Sequence, residues 1–307
     1  MTLTEQTAAP GRTEAGPQPT DVADLGAARP LRADVWRRFK RNRLAMFGLG
    51  FIVLLIFVAI FAPLIAPYGI TERASGHFRE GPSLDHWFGT DAIGRDVFSR
   101  VVYGARVSLR IGILATLITL VIGLVFGAVS GFFGGFTDTL IMRLTDVFLA
   151  IPYIVLAVAI ATVAGRSENS IIIILGITGW LSVARIVRAS FLGLKRLEYV
   201  EAANALGFSR TRIMFRHILP NALQPIIVYG TIAVGAVILS EAALSFIGVG
   251  PQEPIPAWGA MVAQAGAGSL ASAPHMLFFP GAAIFLTVLA FVFVGDGLRD
   301  ALDPKLK

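Results

Sequence analysis

Residues 107–131, VSLRIGILATLITLVIGLVFGAVSG, decide the fold class. Arg110 is their only charge, and an apolar run of this length crosses about 30 Å of hydrocarbon as a helix. Gly123, Gly127 and Gly131 recur at every fourth position, leaving a stripe without side chains along which another helix can approach closely. Working outward, five further apolar segments fall at 44–66, 139–164, 170–190, 223–248 and 277–297. The expectation is an all-α polytopic membrane protein with six transmembrane helices. Pro152 in the third span and Pro225 at the start of the fifth are expected to kink them. With 55% apolar and 15% charged residues and a mean hydropathy of +0.72, the chain is not a single soluble domain, which carries about 25% charged residues.

An even number of spans puts both termini on one side. The segments then assigned to the cytoplasm hold 16 Lys plus Arg against 7 in those assigned outside, which favours cytoplasmic termini. The arginines of the long loop after the first span run against that rule. Residues 1–34, rich in Ala, Pro, Gly and Thr at their start, are expected to be a disordered cytoplasmic tail. Trp36, Arg37, Arg38, Phe39, Lys40, Arg41 and Arg43 follow as a membrane-surface anchor, so membrane lipid is an expected partner. The next divisions are 35–106, holding this anchor, the first span and an external loop, then 107–297 with the other five spans, then a cytoplasmic tail at 298–307. The net charge of +6 is explained by this topology, and no nucleic-acid partner is implied.

The absence of cysteine excludes disulfides, thiolate metal sites and cysteine nucleophiles. His77, His86, His217 and His275 lie far apart and are expected at the surface, with no metal or other cofactor implied. GxSxG and HExxH are missing, and no catalytic residue is nominated. No GxxxxGK[ST] loop is present to hold ATP phosphates. Arg143 and Asp146 are expected to pair at i, i+3 in the third span.

The connection of about thirty residues between the fourth and fifth spans is too long for a simple turn. Leu197, Val200, Ala203 and Leu206 are spaced for one apolar edge of a short helix. Gly207 follows where a helix end favours a left-handed residue, and Ser209 can cap a second helix that Pro220 stops or kinks. The expectation is helix, tight turn, helix, lying on the cytoplasmic side.

Glu201, Ala202 and Ala203, then Gly207, then Ile218, Leu219 and Pro220 resemble the EAA loop of ATP-binding-cassette importer permeases. His217 departs from the usual pattern, but RHILPN at 216–221 is similar to the branch importing di- and oligopeptides and nickel. FGTDAIGRDVFSRVVYGARVSL at 88–109, LSEAALSFIGVG at 239–250 and GDGLRDALDPKLK at 295–307 are similar to the C-type permease subunit of that branch. The resemblance covers roughly residues 35–307. It implies that 107–297 is a permease core and that loop 195–220 carries a coupling helix for a separate ATPase, with Glu201, Ala202, Ala203, Leu206, Gly207 and Ser209 as the coupling residues. It further implies a second homologous B-type permease, two ATPase subunits or domains, an extracytoplasmic substrate-binding protein, and residence in a prokaryotic inner membrane. The implied cargo is a di- or oligopeptide, with nickel or another small solute as the alternative.

Glu241 is the one acid well inside an apolar segment, and it either faces the translocation path or bonds to a partner subunit. A proton-coupled secondary carrier would need more ionisable groups along its spans than this chain has.

Overall fold

The computed structural model describes residues 31–266 and 271–303. Twelve α-helices appear among them: α1 (Leu31–Arg41), α2 (Arg43–Ile60), α3 (Ala62–Ile65), α4 (Val97–Phe133), α5 (Gly135–Leu149), α6 (Tyr153–Ala164), α7 (Glu168–Leu194), α8 (Glu198–Ala205), α9 (Arg210–Arg212), α10 (Leu219–Phe246), α11 (Trp258–Gly266) and α12 (His275–Leu302). Of the expected tail, residues 1–30 lie outside the described residues, and 31–34 are the first turn of α1. The last span runs on to Leu302, and residues 304–307 of the expected C-terminal tail lie outside the description.

Three of the long helices, α2, α4 and α7, begin at side-chain caps. Asn42 accepts from the Ala45 N–H at 3.1 Å, Asp96 from Ser99 N–H at 2.7 Å and Ser167 from Ser170 N–H at 3.1 Å. The Asp96 cap starts α4 at Val97, ahead of the expected 107. Its 37 residues give a rod of ~55 Å, so the first turns project beyond the hydrocarbon.

The glycine stripe packs as the spacing predicts. A Cβ on Gly127 would lie 2.5 Å from the Ala184 carbonyl oxygen, one on Gly131 2.7 Å from Phe191 Cβ, and one on Gly123 would meet Val183. Pairing rises in step along both helices, from Gly176 beside Ile118 to Phe191 beside Gly131, so α4 and α7 are parallel. By the same test α10 is antiparallel to α4, with Gly112 against Ile238 and Gly230 against Leu120. Likewise α12 is antiparallel to α2, with Gly48 against Ala290 and Gly297 against Ala45.

Among the described residues, five helical stretches are individually long and apolar enough to cross a membrane. The expected third span is instead two helices, α5 and α6, bent by 87° at residues 150–152. Pro152 does more than kink: it cannot donate to the preceding turn, and it disfavours the helical region for Ile151. Because α4 and α7 run the same way, the chain must return between them, and the bent pair makes that one net crossing. The bundle therefore has six crossings and both described ends on one side.

Charge pairing also differs from the helical spacing. Asp146 pairs with Arg185 of α7 at 2.6 Å and not with Arg143. Asp138 takes two bonds from Arg188, at 2.5 and 2.6 Å, and one from the Ser130 hydroxyl. The arginines of α7 reach α5 across the bundle, where one turn of α5 could offer only a neighbour on its own surface. His86 and His275 are buried, against expectation, because the loop after α3 folds over the start of α4. His86 Nδ1 lies 2.9 Å from Asp96 and His275 Nε2 3.0 Å from the Thr90 carbonyl.

Candidate functional site

At the end of the bundle that carries α1 and the end of α12, the chain leaves α7 and forms α8. The predicted apolar edge is half right. Val200 and Ala203 are buried, while Leu197 is 44% and Leu206 73% exposed. Two inward residues therefore seat the helix on the bundle, and its outer face, with Glu201, Ala202 and Ala205, stays exposed. Gly207 has φ +74, with no atom within 4 Å of a Cβ placed on it. The turn needs its backbone freedom and not its small size.

Ser209 caps α9 by accepting from Arg212 N–H at 3.3 Å, and Arg212 stacks over the Phe208 ring at 4.4 Å. The second helix is not a separate piece. From Arg210 to Phe246 the chain is one continuous helix, and Ile213–Ile218 is a π-helical turn in which Leu219 N–H reaches back to the Met214 carbonyl. Widening there makes room for the Pro220 ring, which would clash with the preceding turn of a regular α-helix. Pro220 therefore neither stops the helix nor leaves α9 lying free outside the membrane. The structure gathers Glu201, Ala202, Leu206, Gly207 and Ser209 on one exposed turn, and it places Ala203 in the core beneath them.

At the opposite end, Arg95 joins the loop after α3 to the α10–α11 connection. Its guanidinium donates to Asp91 at 2.6 Å and to both oxygens of Glu253 at 2.7 and 2.8 Å. Gln264 of α11 also donates to Glu253, at 2.7 Å. Burial opposes the Arg95 charge, yet the bonds and charges of Glu253 and Asp91 hold its pKa above the ordinary value. The bond from Arg95 in turn holds the Glu253 carboxyl below the usual carboxylate range, against its partial burial. The sequence gives no role to Arg95, because the Glu253 that it binds lies 158 residues away. No local spacing reports such a pair.

Glu241 is 1% exposed. Ser245 donates to it at 2.6 Å, and Gly259 of α11 packs against the same oxygen. Its side chain lies between α10 and α11, inside this chain.

The chain matches the family described as "Binding-protein-dependent transport system inner membrane component" over residues 123–307. It belongs to that family. This permease also matches "N-terminal TM domain of oligopeptide transport permease C" over residues 30–82. It is 50% identical over 275 residues to the glutathione transport system permease protein GsiD of Shigella flexneri serotype 5b, a match covering 89% of this chain and 90% of that one. Against the protein of the same name from Escherichia coli O6:K15:H31 the identity is 48%, with the same coverage. Its fold is similar to that of the MetNI methionine ABC transporter in inward-facing conformations, with a TM-score of 0.57 and 20% identity over 67% of this chain and 98% of that one. The permease is thus a multi-pass bacterial inner-membrane subunit of an ABC importer of the peptide branch. A family of this kind works with an ATPase, a substrate-binding protein and a second permease.

Proposed function

We propose that this permease forms half of the membrane channel through which an ATP-driven importer brings a peptide-type solute into the cytoplasm. Both termini lie in the cytoplasm, in agreement with the excess of cations on that side. The other half is a homologous B-type permease, two ATPase subunits or domains sit below, and an external binding protein docks on loops 67–106 and 249–276. The relatives named for glutathione, a tripeptide, favour a short peptide over nickel as cargo.

The observation that carries the reading is α8: a short exposed helix seated by Val200 and Ala203 and aimed by a left-handed Gly207. A partner ATPase meets Glu201, Ala202 and Leu206 there, and motion of α8 passes directly into the helix ending at Phe246. In Gly207→Val nothing clashes, so the change acts through backbone strain, roughly 1–2 kcal/mol, made worse by β-branching. The expected result is an assembled membrane domain that retains less ATPase or imports less peptide per ATP hydrolysed in proteoliposomes. Wild-type ATPase occupancy together with an unchanged ratio would show that α8 is not the coupling element.

A further inference from the structure

We propose that a cavity at mid-depth, beside the break between α5 and α6, is a transit site that binds the peptide group of the solute through hydroxyls and is indifferent to side-chain charge. The proposal rests on the peptide-importer reading above. The cavity has a volume of about 360 Å³, within the roughly 300–1,000 Å³ of small-molecule sites. Thr178 lies about 15 Å along α7 from its start, half of the ~30 Å hydrocarbon thickness. Irregular backbone at such depth is tolerated only where it is buried in protein or lines a water-filled space. Residues 150–152 are exposed in this chain, so in the assembled transporter they meet either another subunit or water, and the transit-site reading takes the second.

The lining carries hydroxyls from four helices: Thr119 of α4, Tyr153 of α6, Thr178 and Ser182 of α7, and Tyr229 and Ser240 of α10. No lining residue is charged. Three of these hydroxyls already donate to backbone carbonyls. Thr119 donates to Gly176 at 3.1 Å, Thr178 to Ile174 at 2.7 Å and Ser240 to Ala236 at 2.9 Å. Their oxygens keep lone pairs and so can serve a ligand only as acceptors. The Tyr153 hydroxyl differs. It is buried against the Thr178 and Ser240 hydroxyls and interacts with both, at a geometry short of a full hydrogen bond. A donor held only loosely, next to hydroxyls that can only accept, matches a peptide group, which offers one carbonyl and one N–H. With no counter-ion in the lining, acidic, basic and neutral peptides meet the same contacts. The cavity opens where Pro152, Ser182 and Ala236 reach the surface of the chain.

The chain has no cysteine, so labelling read on this subunit, after it is separated from its partners, reports a single introduced thiol. In Ser240→Cys, a water-soluble methanethiosulfonate reagent should react, and transport of Ala-Ala-Ala should slow the reaction several-fold. In Val163→Cys, on α6 at 91% exposure, the peptide should have no effect. Tyr153→Phe should lower uptake of Ala-Ala-Ala, Ala-Glu-Ala and Ala-Lys-Ala by a common factor of about ten. If Tyr153→Phe does not assemble, the labelling of Ser240→Cys decides. Wild-type uptake in Tyr153→Phe, a loss confined to one charge type, or a thiol in Ser240→Cys that peptide leaves unprotected during import would overturn the proposal while leaving the importer reading intact. A wild-type transporter that takes up none of the three peptides would overturn the importer reading, and this inference with it.

Discussion

Replacing Gly127 by valine tests whether the α4–α7 seam sets the stability of the bundle. The added Cβ would sit 2.5 Å from the Ala184 carbonyl oxygen and 2.6 Å from Val187 Cβ, where ordinary contact is about 3.5–4.0 Å. The helices must part by about 1 Å, and a gap of that size forfeits roughly a quarter to a half of the attraction between each pair of facing atoms. The neighbours are among the best packed in the protein, since Val183, Ala184, Val187 and Phe191 are each 0 to 1% exposed. Overpacking costs about 1–3 kcal/mol, and the loosened packing of the seam above and below adds to it. The better helix propensity of a non-glycine residue returns less than about 1 kcal/mol. A net loss of about 3 kcal/mol corresponds to a fall of roughly 6–12 °C in melting temperature. The assay is thermal unfolding in detergent micelles, with Gly50→Val as control, because no atom lies within 4 Å of a Cβ at Gly50. Gly127→Val melting within about 1 °C of Gly50→Val would refute the reasoning.

Two further outcomes are expected. Because Arg95 lowers the pKa of Glu253, its contribution is full above the unfolded carboxylate value of about 4.3 and fades as pH falls through the lower folded value. Glu253→Gln should therefore speed hydrogen exchange in loop 67–96 at pH 7, with the difference from wild type shrinking as pH falls below about 4.3, and a difference independent of pH would remove the ion pair as its cause. Reporter fusions after residue 303 and after residue 260 should report opposite compartments, with residue 303 inside, and a shared compartment would contradict the six-crossing bundle.

Features that depend on one element and its immediate neighbour were legible in the sequence. The Gly123, Gly127 and Gly131 stripe reports close approach because only missing side chains permit it, and Gly207 reports a left-handed turn for a reason local to its own backbone. Features settled by a third element were not. Pro152 is compatible with a kink or a full break, and the choice rests on how α5 and α6 lie against α7 and α10. Arg143 and Asp146 have the spacing of a pair, but Arg185 offers Asp146 a partner that no spacing within α5 reveals. The burial of His86 and His275 depends on a loop folding back over α4. The residues proposed for coupling were legible as a family pattern, and the structure sorts them physically, with Ala203 buried below and Glu201, Ala202 and Leu206 on the surface above. The hydroxyls of the mid-depth cavity come singly from four helices, and each alone is an unremarked Ser, Thr or Tyr.

The unbroken run from Arg210 to Phe246 makes the two ends of the protein parts of one lever. Its 37 residues span ~55 Å, so a tilt of about 10° about the middle carries each tip by about 5 Å in opposite directions. The tip at Arg210 lies next to α8, and the far tip leads straight into the connection where Glu253 holds Arg95. No loop stands between them to absorb a displacement, and the compliance is confined to the π-helical turn and to Pro225. Stiffness at those points would then set how much of a stroke delivered below arrives outside, so stiffening the turn should lengthen the external stroke without altering either tip.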